Sequence, residues 1–357
     1  MKPILINDNI ISTAAQRGIA RYFDRIMDAA IAEFGDKAII CSPQQRDYGT
    51  AQHIRSIRFR GSWRIGLQDR VASWAAALKH PSVMYSVYYG EANPDAAQVF
   101  TVYDMVHEMF APPSHPFLAQ KRRCLQRASA LLSISENTAK DIVAIYPKLE
   151  TKIVVTQLGV DEFFFKDNAP TCAHLEKPYF LYVGHRTPYK NFMRLLTAFG
   201  KSGLSKQLDL KVISPRGGQY SQHEIDYMRK YQLQDQIHLL LSPSDEILRE
   251  SYRQAYAFIY PSTYEGFGLP ILEAMASGTL VAASNTSSMP EIGGDVALYF
   301  DPLSVESIAE CLQQIADLPS EEHARRIEQG IARARTFTWQ RCQRQTMDVL
   351  RSLAACD

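Results

Sequence analysis

Short apolar runs alternate with longer amphipathic stretches almost from one end of the chain to the other. In the first half, Ile4–Ile6, Ala38–Cys41, Val83–Val87, Val99–Tyr103, Ala130–Ile134 and Lys152–Thr156 read as strands. Gly18–Ala32 and Glu136–Tyr146 carry apolar residues at helical spacing, and Pro147 ends the second of them. Periodicity fades over Gln157–Pro178, which contains Pro170 and Pro178 and reads as an interdomain connection. The rhythm then restarts. Strands are predicted at Tyr179–Val183, Leu208–Ile213, Ile237–Leu241, Ala257–Tyr260, Thr279–Ala283 and Ala297–Phe300. Helices are predicted at Asn191–Phe199, His223–Tyr231, Asp245–Tyr256 and Pro270–Ala276, and helical pattern runs from Val305 to a last helix at Trp339–Ala354. Fully apolar strands alternating with helices predict parallel sheets covered on both faces. The expected fold is α/β, with two Rossmann-like doubly wound domains facing each other across a cleft. The expected division is residues 1–170, residues 171–338, and a helix, 339–357, that crosses back to the first domain.

Composition narrows the function. At 357 residues, 46% hydrophobic and 22% charged, the chain can bury two cores. Thirty-nine basic residues against 38 acidic ones leave a formal charge of +1, so no global field attracts nucleic acid. Met1–Ile10 turns polar too soon for a signal peptide, and no run of eighteen apolar residues occurs, so a cytoplasmic protein is expected. The six cysteines, at 41, 124, 172, 311, 342 and 356, show no metal-like spacing and read as reduced thiols. No Asp-x-Asp pair occurs, and no metal or other cofactor is expected.

In open parallel sheets, ligands sit beyond the carboxyl ends of strands. The sharpest segment there is Ile259–Gly278, IYPSTYEGFGLPILEAMASG. A buried strand leads to a loop with Glu265, Gly266, Phe267, Gly268 and Leu269, and then Pro270 opens a helix at its first position. Glycines let a ligand approach the backbone, and a helix start offers unpaired amides to an anion. Glu265 in the loop and Glu273 in the helix can each accept hydroxyl hydrogen bonds from a ribose or hexose. The two glutamates alone are unremarkable; the combined block points to a nucleotide-sugar site.

Tyr182–Asn191, YVGHRTPYKN, also follows a strand. Gly184 relaxes the turn, and Arg186 and Lys190 reach a common point if the segment curls, as a diphosphate leaving group requires. Solvated loop cations are the ordinary alternative. In Ser284–Asp301, the start of a short helix at Ser288, Pro290 and Glu291 can cap a phosphate, or be an ordinary capped surface helix. In the first half, Gly18 opens a helix after the first strand, with Arg21 nearby. Tyr103, Asp104, His107 and Glu108 follow another strand. His107 either bonds a sugar hydroxyl or packs on a helix face, and Asp104 either touches sugar or caps that helix. Arg55–Arg70 carries Arg58, Arg60, Trp63 and Arg64, a patch suited to an anionic membrane surface or a phosphorylated acceptor, or simply a solvated face.

Taken together, these blocks resemble the family-4 retaining glycosyltransferases of the GT-B fold, particularly their bacterial mannosyltransferase-like members. The resemblance rests on RGIARY, YDMVHE, SENTAKDI, YVGHRTPYKN, PSTYEGFGLPILEAMASG and SNTSSMPEIGGDVALYFDP, spanning about residues 16–302. It implies metal-independent transfer with retained anomeric configuration. It also implies ribose contact by Glu273, sugar contact by Glu265, diphosphate contact by Arg186 and Lys190, and amides around Ser288–Glu291 at the phosphate. Many relatives place a histidine directly before the aspartate of the first-domain motif; here that residue is Tyr103, and either His107 replaces it or the role is filled otherwise.

The expected partners are a nucleotide-sugar donor, with GDP-mannose favoured by the resemblance, a glycan or lipid-linked glycan acceptor, and an anionic membrane surface at which the protein is peripheral. The expected reaction is hexose transfer to a growing surface polysaccharide or lipopolysaccharide. A nucleotide-sugar epimerase or hydrolase of the same fold, or a non-catalytic sugar-binding protein, remains an alternative. A nicotinamide dehydrogenase needs G-x-G-x-x-G, and Ile271 stands where the third glycine would be.

Overall fold

The computed structural model describes residues 2–7, 17–42, 49–55, 78–86, 88–90, 95–166, 177–214 and 218–355. They form two compact units. Unit 1 comprises Met1–Gly159 together with Trp339–Asp357, and unit 2 comprises Val160–Thr338.

The strands of unit 1 are β1 (Ile4–Asn7), β2 (Ala38–Ser42), β3 (Gln52–Arg55), β4 (Val83–Ser86), β5 (Ala97–Val102), β6 (Ala130–Ser133) and β7 (Lys152–Val155). They form a parallel sheet in the order β3-β2-β1-β4-β5-β6-β7. Its described helices are α1 (Arg17–Phe34), α2 (Val106–Phe110), α3 (Pro116–Arg127), α4 (Glu136–Ile145) and, at the end of the chain, α12 (Trp339–Ala354). Every residue of β1, β4 and β6 is buried, which is why these strands read as unbroken apolar runs. The edge strand β3 (QHIR) lacks such a run, and the hydrophobic pattern misses it. Helix α12 lies against α1: the Tyr22 and Trp339 rings are 6.4 Å apart, and Gln343 Nε2 donates to the Arg25 carbonyl at 2.6 Å. Beneath α1, the hydroxyls of Tyr22, Tyr85 and Thr101 form a closed triangle with edges of 3.0, 3.1 and 2.7 Å.

Unit 2 repeats the plan with β8 (Tyr179–Val183), β9 (Asp209–Ser214), β10 (Ile237–Leu241), β11 (Ala257–Tyr260), β12 (Val281–Ser284) and β13 (Leu298–Phe300), all parallel, in the order β10-β9-β8-β11-β12-β13. Its helices are α5 (Phe192–Ser202), α6 (Gln222–Lys230), α7 (Asp245–Arg253), α8 (Leu269–Ala276), α9 (Met289–Gly293), α10 (Val305–Ala316) and α11 (Ser320–Ala334). Unit 2 begins earlier than residue 171 because Phe164, in a 3-10 turn, packs its ring edge-on against Tyr252 of α7 at 6.3 Å. Both sheets are Rossmann-like and doubly wound. In each, the order reverses beside the first strand, between β1 and β4 and between β8 and β11. Such a switch point leaves a crevice at the carboxyl ends of the two central strands.

Candidate active site

In unit 2, the loops after β8 and β11 flank the switch point. The loop after β8 is curled by its own side chains. Tyr182 donates its hydroxyl to the His185 carbonyl at 2.7 Å, and Pro188–Lys190 form one 3-10 turn. Asn191 ends the turn at φ 61°, a left-handed conformation that asparagine tolerates better than most residues. Its buried Nδ2 donates to the Pro261 carbonyl at 2.9 Å and the Pro302 carbonyl at 2.7 Å. One amide thus ties the β8 loop to the segments after β11 and β13. The Tyr189 carbonyl accepts the Thr263 amide at 2.7 Å, which adds a second tie.

The curl does not bring the two cations to a common partner. Arg186 donates Nε to Glu224 Oε1 at 2.8 Å and Nη2 to the carbonyls of Gly218 and Gln219 at 3.0 and 3.1 Å. Its guanidinium lies 5.1 Å from the centre of the Tyr220 ring. Its Nη1 is buried and has no hydrogen-bond partner. With His185, Thr187, Ser214, Ser221 and Glu224, Arg186 lines a cavity of about 430 Å³. Lys190 Nζ meets both oxygens of Glu265, at 2.6 and 2.9 Å, with the two side chains only 15% and 12% exposed. Burial, and next the Glu265 carboxylate, push the Tyr260 phenol well above its usual pKa, so it stays protonated beside this pair. Each cation answers to its own carboxylate, since a half-buried charge is stable only when paired.

The backbone of the Glu265 loop is held from below. Ser287 Oγ donates to the Glu265 carbonyl at 2.6 Å, and Ser288 Oγ lies 2.8 Å from that carbonyl and 2.6 Å from the Phe267 carbonyl. Ser288 is fully buried, and its hydroxyl braces the loop. The Phe267 ring is core: it is 3% exposed and packs edge-on against Phe337 at 6.2 Å. Gly266 and Gly268 are buried, and Gly268 precedes α8 at φ 112°, where a side chain would be strained. Leu269 is the first helical residue and Pro270 the second. Glu273, one turn further on, is 6% exposed and accepts the Tyr252 hydroxyl at 3.2 Å. Glu291 is half-buried in α9, and its carbonyl accepts Nη2 of Arg333 at 2.6 Å. Gly184 is half-buried directly after β8.

Sequence reading missed Asn191, Ser287 and Glu224. Asn191 carried a signal, an asparagine placed directly before an apolar helix. Glu224 carried only the local Ser221-x-x-Glu224 capping-box signal, which places it in the first turn of α6 and says nothing of Arg186, 38 residues away.

The unit 1 candidates form a separate group. Asp104 Oδ1 accepts the Val106 amide at 3.0 Å, a local turn bond made one residue before Met105, the cap position of α2. His107 is half-buried, 4.5 Å from the Phe117 ring and 5.5 Å from His115. Tyr103 is 6% exposed, with its ring edge-on to Tyr22 at 5.8 Å, so its ring serves the core of unit 1. Gly18 lies in the first turn of α1. Arg58, Arg60, Trp63 and Arg64 lie outside the described residues, as does the rest of that patch beyond Arg55. Among the described residues, no group of three His, Cys, Asp or Glu side chains is arranged to hold a metal ion, and no helix is long and apolar enough to cross a membrane.

Burial lowers the His107 pKa, and this outweighs the nearby carboxylates of Asp104 and Glu108, which raise it. The imidazole is therefore neutral near pH 7. Below its ordinary value of about 6.5 the unfolded chain takes up the proton first. Stability must then fall with pH until His107 itself titrates in the folded protein. Replacing His107 by glutamine is expected to flatten this acid-side loss in a melting-temperature profile from pH 7 to 5, and an unchanged slope would show that another group governs it.

The family model described as "Glycosyl transferases group 1" matches residues 165–333, almost the whole of unit 2. The chain is 32% identical over 243 residues to the O-antigen chain mannosyltransferase B of Escherichia coli, covering 64% of this chain and 62% of that protein. It is 28% identical over 249 residues to the MMP alpha-(1->4)-mannosyltransferase of Mycolicibacterium hassiacum, covering 67% and 59% respectively. The chain thus spans about three fifths of the length of these curated relatives. Among solved structures, a sucrose-phosphate synthase from Thermosynechococcus elongatus superposes over 100% of both chains with a TM-score of 0.79 at 19% identity. Anabaena HepE in complex with UDP and glucose covers 99% of this chain and 100% of its own, with a TM-score of 0.73 at 15% identity. At these identities the structural likeness establishes the fold, GT-B, for the described architecture.

Proposed function

We propose, from the membership of its second unit in the group 1 glycosyl transferases, that this chain moves a hexose from a nucleoside-diphosphate sugar to a hydroxyl of a growing glycan, with retained configuration and without a metal ion. The observation that carries this reading is the Lys190–Glu265 pair at the switch point of unit 2, two opposite charges held mostly out of water on a braced loop. A diphosphate is the ligand that such a pair suits. Its oxygens replace Glu265 on the ammonium of Lys190, and the released carboxylate accepts hydroxyls of the sugar that arrives with it. Arg186, with one nitrogen unpartnered in a cavity of about 430 Å³, offers a further hydrogen bond to the same anion. Glu273 takes the ribose hydroxyls, as the family pattern suggests.

The chemistry asked of the protein is modest. As the glycosidic bond breaks, negative charge grows on the departing phosphate, and a preorganised cation in a dry site stabilises that charge more than the ground state. Glu265, the ion-pair partner of Lys190, is assigned in this reading to the sugar hydroxyls and is not asked to act as a covalent nucleophile. We therefore infer front-face substitution, in which a departing phosphate oxygen takes the acceptor proton. Mannose is the sugar favoured by the relatives named above, and guanosine the base favoured by the resemblance.

The direct test is thermal denaturation with GDP-, UDP-, ADP- and dTDP-sugars. A donor at 100 times its dissociation constant is expected to stabilise unit 2 by ~2.7 kcal/mol. GDP-mannose is expected to give the largest shift. If no nucleotide sugar moves the transition, the transferase reading fails.

A further inference from the structure

We propose that Tyr88, His107, His115 and Phe117 of unit 1 form a stacking platform for the saccharide of the acceptor. This inference rests on the transferase reading and names the chemistry by which unit 1 would hold its substrate. Phe117 sits at the centre of the cluster. Its ring centroid is 4.5 Å from His107, 5.5 Å from Tyr88 with the planes 27° apart, and 6.4 Å from His115. His107 and His115 are 5.5 Å apart. The rings come from three separate segments: the loop after β4, helix α2 after β5, and the entry to α3.

Two features separate this cluster from ordinary core packing. The first is exposure. His115 is exposed, and Tyr88, His107 and Phe117 are only half-buried, whereas Tyr89 and Tyr103 beneath them are 2% and 6% exposed. The cluster is the open top of an aromatic stack whose lower rings fill the core. The second is that the segments are pinned by groups other than the rings. Lys121 of α3, 1% exposed, donates to the Asp104 carbonyl at 2.7 Å and to Glu108 Oε2 at 2.9 Å. The Tyr146 hydroxyl donates to the other oxygen of Glu108 at 3.1 Å. Gln120 Nε2 donates to the Tyr89 carbonyl at 2.8 Å, and Cys124 Sγ to the Gly90 carbonyl at 3.0 Å. The rings are thus preorganised, which lowers the entropic cost of binding.

The chemistry favours a neutral saccharide. A pyranose presents a face of polarised C–H groups, which settles on the electron-rich face of an aromatic ring. Its hydroxyls then need polar partners at the ring edges, and the imidazole nitrogens of His107 and His115 and the hydroxyl of Tyr88 supply them. A phosphate would need a cation in the cluster, and Lys121 is already committed to Glu108 and a carbonyl. A lipid chain would leave two imidazoles without a role. The position fits as well, since Tyr88 and His107 follow β4 and β5, at the carboxyl end of the sheet where ligands of parallel sheets bind.

The test is isothermal titration of the full chain with neutral trisaccharides, α-linked mannotriose first and glucose, galactose and N-acetylglucosamine trimers beside it. Phe117→Leu keeps apolar volume and removes the central ring. His115→Ala removes an exposed ring with little consequence for folding. We expect at least one trisaccharide to bind the wild type, its affinity to fall about tenfold in Phe117→Leu and a few-fold in His115→Ala, and nucleotide-sugar affinity to be unchanged in both. Undetectable binding of every trisaccharide overturns the proposal, as does equal affinity in wild type and His115→Ala. Shielding of the rings by phospholipid vesicles and not by sugar overturns it in favour of a lipid contact. Turnover separates the two readings: normal transfer with unaffected ring variants removes the platform alone, whereas absence of transfer with every donor removes the transferase.

Discussion

Replacing Lys190 by alanine is expected to lower kcat by roughly a hundred- to a thousandfold while the KM for the donor rises only a few-fold. The asymmetry follows from where the charge appears. In the ground state the charge of the bound diphosphate is spread over several oxygens. In the transition state the leaving oxygen gains charge, and the ammonium that meets it already stands at this point of the β8 loop, where Glu265 holds it at 2.6 and 2.9 Å before the donor arrives. An interaction that strengthens along the reaction coordinate appears in kcat and hardly in binding. The variant also leaves Glu265, 12% exposed, without its cation. Its melting temperature must therefore be measured alongside, and Lys190→Ala combined with Glu265→Gln separates the two effects. A kcat within a few-fold of the wild type in either background removes Lys190 from the chemistry.

The second large effect is expected at Asn191. Replacing it by alanine should destabilise unit 2 by about 3 kcal/mol, because two buried carbonyls lose their donor and alanine is strained at a positive φ. For a unit of this size that corresponds to a fall in melting temperature of roughly 6–12 °C. Asn191→Gly divides the loss, since glycine accepts φ 61° but supplies no amide to Pro261 and Pro302. If glycine and alanine cost the same, backbone strain contributes nothing. If alanine is silent, the two hydrogen bonds do not hold the loops together. Donor affinity should fall with stability, because Asn191 joins the loop of Lys190 to the segment that leads to Glu265.

The parts of the site that were legible are those in which one short segment carries its own explanation. Glu265, Gly268 and the start of α8 lie within five residues, so a strand, a left-handed turn and a helix entry could be read together. Lys190 was legible as a cation after a strand. What it does was not, because its carboxylate lies 75 residues away. The same distance effect hid the role of the Ser288 side chain, whose hydroxyl is turned inward to the carbonyls of Glu265 and Phe267, 23 and 21 residues back along the chain. Phe267 reads as part of a binding loop because its neighbours are, while its ring belongs to the core with Phe337.

Local patterning, by itself, determined the two α/β halves, the strands buried on both faces, and which loops stand at the carboxyl ends. Apolar runs of four to six residues between amphipathic helices have few ways to leave water other than parallel sheets covered on both sides. Only the tertiary structure decided partners: which carboxylate each cation meets, which hydroxyls turn inward, and which rings of unit 1 stay open to solvent. These are set by distances across strands and loops far apart in the chain. A charge half out of water takes whichever opposite charge the fold brings within reach, and nothing in its neighbours along the chain records that choice.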